Sequence, residues 1–264
     1  MALDISSFSS ALKQHYPDWK IENLVYQSNP FMALVPKYEQ FGGEVLKMPL
    51  IYGNPQNRSA AFATANSGTS NSQLKAFLLT RNADYSIAEI SNEVILASEG
   101  DANAFLRAAT VEIDGALHAL GRSVATKLFR SGSGSIGKVS SYTGATKTIL
   151  LTIPEDIVNF EVGMTLQGST ADGGGSVKAG TCKIVTIDRI AGSFTIDADI
   201  TGNWAASDYI FVAGDYDAAL KGLDAWLPYD SRSSKLAASF FSVTRSADAT
   251  RLGGLTYDGS GSLS

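Results

Sequence analysis

Apolar residues recur in steps of three and four through the middle of the chain, at Leu106, Ala109, Ile113, Leu117, Leu120, Val124 and Leu128. That spacing draws one stripe along an α-helix. It predicts a helix over residues 98–130, about 45–50 Å long at 1.5 Å per residue. Ser98 stands where an N-cap belongs, and Asp101 where a capping box carries its acid. Glu99 and Asp101 at the start, and Lys127 and Arg130 at the end, suit the helix dipole. Ser131 and Gly132 then stop the helix. A mean helix has about 11–12 residues, so this one is a scaffold for the rest.

Before it, the pattern is thin. Ile5, Phe8, Ala11 and Leu12 predict a short amphipathic helix ended by Pro17, and a second short helix falls near Lys20–Ser28. Residues 1–36 read as an arm that lies on something else. Residues 37–92 read as a long two-stranded excursion. Its outgoing strand, Val45–Tyr52, contains Pro49, which lacks a ladder donor and so marks an edge or a bulge. Turn chemistry follows in GNPQNRS and NSGTSNS. Leu74–Ser91 then reads as the return strand, with Tyr85, Ile87, Ala88 and Ile90 leading back to the long helix, whose segment of the chain spans residues 93–137. An excursion of this length with no core of its own is unusual in a compact monomer, and its simplest use is to reach a neighbour.

After the helix, the period changes to that of short strands. Candidates are Thr148–Ile153, Met164–Gln167, Cys182–Asp188, Ser193–Ala198 and Asp208–Val212, separated by the glycine-rich Gly168–Gly180 and by Ala191-Gly192. Such strands suggest a small barrel or sandwich over residues 138–214, inserted between helix-forming stretches. Residues 215–264 open with a short helix in DYDAALKGLDAWLP, ended by Pro228. The chain stops in glycine and serine with its last structure unpaired, as though more should follow. The fold class expected is α+β.

Composition narrows the reading. The 264 residues are 44% hydrophobic and 18% charged, below the usual ~25% charge. Low charge suits both a protein that covers its surface with other subunits and a plain β-rich protein. Net charge is −5 with no basic run, so no broad footprint for nucleic acid is visible. Cys182 is the single cysteine, which excludes an internal disulfide or a thiolate zinc site and points to a reducing compartment. The N-terminal residues lack the basic-then-apolar order of a signal peptide, and no run approaches ~18 apolar residues. A soluble intracellular product with no membrane contact is expected.

Candidate chemistry is weak. Gly132, Gly137 and Lys138 have P-loop spacing, but Val139 stands where Mg²⁺ binding needs a hydroxyl, and the motif follows a helix instead of opening one. Neither histidine, His15 or His118, has a ligand partner at metal spacing; His118, beside Leu117 on the long helix, reads as packed or at an interface. Glu155/Asp156 and Asp215/Asp217 sit beside turns, where solvated acids are ordinary. Asp197/Asp199 is the best divalent-ion candidate, without an EF-hand pattern around it. There is no G-x-S-x-G elbow. No motif carries an enzyme, and no cofactor is expected.

Asn29–Pro36, Phe41-Gly42-Gly43-Glu44, and Tyr52–Gln56 with Arg58-Ser59 and Phe62 together resemble the extended loop of one subgroup of tailed-bacteriophage major capsid proteins. Gly222-Leu223 with Trp226-Leu227-Pro228, and Arg245-Ser246 with Asp248 and Arg251–Gly254, resemble the same subgroup's passage after its insertion. The family's fold is shared with encapsulins and the floor of herpesvirus capsids. The resemblance implies an N-terminal arm, an extended β-hairpin loop over an adjacent subunit, a spine helix and an inserted β domain. It further implies a virion subunit assembled in a bacterial host's cytoplasm. Such a subunit forms hexamers and pentamers of an icosahedral shell around double-stranded DNA, with scaffolding and portal proteins as partners. The residues expected at subunit interfaces are Phe31, Phe41, Gly42, Gly43, Tyr52, Asn54, Pro55, Arg58, Phe62 and Arg81. Family members run on well past a segment like LGGLTYDG, so the axial domain is expected to be incomplete here. Two alternatives stay open: an encapsulin-like compartment shell, and a β-rich virion surface module centred on residues 138–214.

Overall fold

The computed structural model describes residues 30–38, 41–89, 102–229 and 232–256. The fold is mixed α+β, with two sheets and several helices. It divides into two compact units, Met1–Tyr38 with Ala83–Thr126, and Glu39–Asn82 with Lys127–Ser264. The expected arm helices, Ser98 and Asp101 lie outside the described residues.

In the first unit, a five-residue helix α1 (Pro30–Leu34) precedes the long helix, and the segment at 83–89 lies along that long helix. Ser86 donates to the Ala116 carbonyl (3.0 Å), and Ser123 donates to the Asp84 carboxylate (2.7 Å). The sequence predicts a return strand as far as Ser91. The observed strand ends at Thr80, because Val45 is the last residue of its partner, and Tyr85 and Ile87 are exposed. The long helix itself, here α3, runs Ala102–Phe129, 28 residues. Its described stripe residues Ile113, Leu117, Leu120, Val124 and Leu128 are half-buried, while Glu112, Asp114 and His118 are exposed. Among the described residues, nothing buries His118.

In the second unit, β1 (Val45–Gly53) and β2 (Gln73–Thr80) form a two-stranded antiparallel sheet, joined through a short helix α2 (Phe62–Ser67). Pro49 pairs in register with Ala76, tolerated because each strand has one partner among the described residues. The sheet has no core within the excursion itself; one face is covered by another segment of the same chain. Phe77 is buried, with Leu50, Tyr52 and Leu79 beside it, against Ala225, Trp226, Phe240, Phe241, Val243 and Leu252 of the C-terminal segment. That segment comprises α4 (Leu223–Trp226), α5 (Arg232–Ala237), a 3₁₀ turn (Arg245–Ala247) and α6 (Ala249–Gly253). The helix expected in DYDAALKGLDAWLP shrinks to α4. Asp217 is left-handed (φ 55°), and a Cβ on Gly222 would lie 2.2 Å from the Lys127 carbonyl oxygen, so the chain crosses the end of α3 at a closeness only glycine permits.

The remaining six strands close into an antiparallel barrel in the order β3-β4-β7-β6-β5-β8: β3 (Ser135–Thr143), β4 (Thr148–Leu151), β5 (Thr165–Ser169), β6 (Cys182–Asp188), β7 (Ser193–Ile196) and β8 (Tyr209–Val212). Alternation places Ile149 and Leu151, Cys182 and Ile184, and Phe194 and Ile196 inside. Ile157, Ile200 and Trp204 from connections complete the core. Irregularities at 135–141 and 184–186 bend β3 and β6, as closure of a small barrel requires. Strand β3 escapes sequence reading because its glycine and three serines mimic a loop. Gly137 lies in β3 with the Phe160 ring 2.9 Å from where a Cβ would stand, and Lys138 lies over the Tyr209 ring at 4.9 Å. Gly137 and Lys138 of the P-loop-like spacing thus belong to a strand, with Gly132 in the turn before it.

Candidate subunit interface

The candidate interface residues fall at the two ends of the β1–β2 sheet and on α1. At the base, Arg81 donates from Nη2 to the Phe41 carbonyl (2.6 Å) and stacks over the Phe41 ring at 4.7 Å. This cation–π contact closes the hairpin across 40 residues. Asn82 continues the closure by donating to the Ala219 carbonyl at 2.6 Å. Gly43 is left-handed (φ 87°), and a Cβ on Gly42 would meet only open space, so Gly43 alone needs to be glycine on conformational grounds.

At the far end, Tyr52 is half-buried. Its carbonyl accepts from Arg251 (2.5 Å), its ring lies 5.6 Å from the Lys75 ammonium, and its hydroxyl donates to Gln73 (3.4 Å). Tyr52 therefore serves packing within its own chain. Beyond it, Asn54, Pro55 and Arg58 are exposed, with the turn held by a bond from the Gln56 amide to Ser70 Oγ (2.6 Å). Phe62, at the start of α2, is 86% exposed. Phe31 is exposed on α1 in the other unit. The structure brings Phe41 to Arg81 and sets Asn54, Pro55, Arg58 and Phe62 in the connection beyond the strands. Within the second unit it does not gather its nine candidates into one pocket.

Sequence reasoning missed the outer face of this sheet. Directly paired residues share a face, so Val45, Lys47, Pro49, Ile51, Leu74, Ala76, Leu78 and Thr80 point away from the C-terminal cover. Ile51 is 62% and Leu74 61% exposed. Residues 41–82 carry Lys47, Arg58, Lys75 and Arg81 against Glu44 alone. The signal was available as period-two alternation on both faces, but nothing in one sequence says which face is covered. The barrel adds exposed Ile153, Val158, Val162 and Ile190.

The titratable candidates are occupied by the fold. Asp199 accepts from the Tyr142 hydroxyl (2.8 Å) and from the Thr201 amide (2.9 Å) and hydroxyl (2.6 Å). These bonds, Thr201's foremost, hold its pKa down to about 2. Asp197 accepts from the Lys183 amide at 2.7 Å, which lowers its pKa. Asp156 pairs with Arg130 (2.5 Å) and Asp215 with Lys127 (3.0 Å), and Asp217 accepts from the Gly174 amide (2.8 Å). Burial pushes the Cys182 thiol up to about 12, the value of an inert core thiol. Among the described residues, no three His, Cys, Asp or Glu side chains converge as a metal site, and no helix is long and apolar enough to cross a membrane. No family model, no curated protein and no solved structure matches this chain.

Proposed function

We propose that this chain is a structural subunit of an icosahedral shell of the tailed-bacteriophage kind, associating with copies of itself into hexamers and pentamers that enclose double-stranded DNA. The observation that carries this reading is the β1–β2 arm. One face is anchored on its own chain, while the other face and the connection at residues 54–72 present Ile51, Leu74 and Phe62 to solvent. Large apolar side chains left exposed in this way mark a place of association. The arm is cationic on a chain of net charge −5, so other copies offer it a complementary field. Many copies of one such contact close a shell by symmetry. Scaffolding and portal proteins are the further partners of this reading, its cellular place is the virion, and it assigns no catalytic step.

Negative-stain electron microscopy of the purified chain tests it, beside a variant in which residues 54–72 become a short turn. That variant spares the strands that the subunit needs for its own core. Uniform closed particles from the wild type, and soluble unassembled variant, are expected. A wild type that stays monomeric at every concentration, or a variant that closes normally, overturns the reading. The monomeric outcome favours the second reading, a surface-binding module, for which the self-contained core of the closed barrel is the supporting observation.

A further inference from the structure

At one end of the barrel, the β6–β7 turn meets the 3₁₀ helix at Pro154–Asn159. A Cβ on Gly192 would stand 2.6 Å from the Pro154 Cα, and Arg189 donates from Nη1 to the Ile157 carbonyl (3.4 Å). These contacts set Ile190, 99% exposed at the tip of the turn, beside the exposed Ile153 and Val158. Ile157 of the same helix turns inward to the barrel core, which needs none of those three. Glu155 and Glu161 are exposed at this end, and Asp188 accepts from the Ile190 and Ala191 amides (3.0 Å each). Asp156 is matched by Arg130, so Arg189 stands against Glu155, Glu161 and Asp188.

Acids outnumber bases across residues 135–214, and bases outnumber acids across residues 41–82. Two barrel ends facing each other oppose like charges, and so do two arms. An arm facing a barrel end joins unlike charges and covers exposed apolar side chains on both sides. We propose that this end of the barrel is the docking surface for the β1–β2 arm of a second copy. Ile51, Leu74 and Phe62 supply the apolar cover for Ile153, Val158 and Ile190. Lys47 and Arg58, both exposed, supply the charges that face Glu155 and Glu161. The contact is heterologous, so it propagates from copy to copy and closes only where the rotation between copies closes. The inference rests on the shell reading for its premise that copies associate, and adds which surface receives the arm.

The test reverses charge on each side of the contact in the full chain, read by sedimentation velocity and electron microscopy. Glu155→Lys with Glu161→Lys alters the barrel end, and Lys47→Glu with Arg58→Glu alters the arm. Each pair changes exposed positions, so melting is expected to stay near wild type. Each is expected to raise the concentration needed for assembly by about tenfold or more. Combining all four substitutions is expected to restore assembly, which a folding defect cannot mimic. Ile190→Ser removes the apolar tip without touching charge, is expected to weaken assembly likewise, and decides the question should a charge pair fail to fold. Normal closed particles from the barrel pair and from Ile190→Ser, or no rescue in the folded combination, overturn the docking surface and leave the shell reading standing. Open chains of copies instead of closed particles, dispersed by either reversal and regained in the combination, uphold the docking surface and overturn the shell. A wild type that stays monomeric at every concentration overturns both.

Discussion

Asp199 shows how a residue that looks chemical in sequence becomes structural in the fold. Its carboxylate stitches the β7–β8 connection to Tyr142 on β3, and the same bonds lower its pKa from 3.8 to about 2. A group whose folded pKa is depressed contributes stability above its unfolded pKa and loses it as pH falls through the folded value. The window is therefore roughly pH 4 down to 2. Asp248, which caps α6 by accepting from the Thr250 and Arg251 amides, is shifted the same way. Asp199→Asn is expected to be less stable than wild type at pH 5, with the gap narrowing as pH approaches 2. Denaturant midpoints measured across that range check this, and a gap that stays constant with pH refutes the assignment.

At the scale of elements, the β1–β2 sheet is where sequence and structure part. Phe77 meets Trp226 and Phe240 edge-on at 5.7 and 6.2 Å, and the Leu78 amide donates to the Phe241 carbonyl (3.0 Å). Phe241 and Ser242 are both left-handed (φ 46° and 68°), the geometry of a type I′ turn, bought without the usual Asn-Gly. Phe77→Ala is expected to destabilise the fold by about 3–5 kcal/mol, whereas Phe62→Ala should leave stability within about 0.5 kcal/mol and, on the proposed shell reading, weaken assembly. Urea titration and particle yield separate the two. What could be read beforehand was whatever depends on local period: α3 from its three–four spacing, and β6 from its alternation. What could not be read depends on distant chain. Tyr85 and Ile87 are good strand formers, yet β1 has no residue left to pair with them. Gly222 breaks a plausible helix because the backbone of Lys127 and Leu128 passes beneath it. Phe240, Phe241 and Val243 find their burial only once Phe77 is placed against them.

For the whole molecule, the distribution of burial sets a gradient of local stability. The barrel interior holds Val139, Ile149, Phe160, Leu166 and Ile210 with no accessible surface, and Phe160 stacks on Phe194 at 4.9 Å. The loop over residues 170–178 is pinned by the Lys178–Asp208 pair at 2.6 Å. The β1–β2 sheet, by contrast, is covered on one face, and residues 54–72 are exposed almost throughout. Local opening is easiest where buried apolar contacts are few and backbone hydrogen bonds meet water. Amide exchange of the free subunit should therefore be slowest in β3, β4, β6 and β8, intermediate in β2, and fastest across residues 54–72. The same measurement on assembled particles bears on the proposed role of the arm. If copies associate through its outer face and connection, residues 54–72 and the amides of β1 gain protection on assembly, while barrel amides, already closed within one chain, change little. Equal exchange of residues 54–72 in the free and assembled states would remove the arm from the interface and leave the barrel's exposed Ile153, Val158 and Ile190 as the surface through which copies meet.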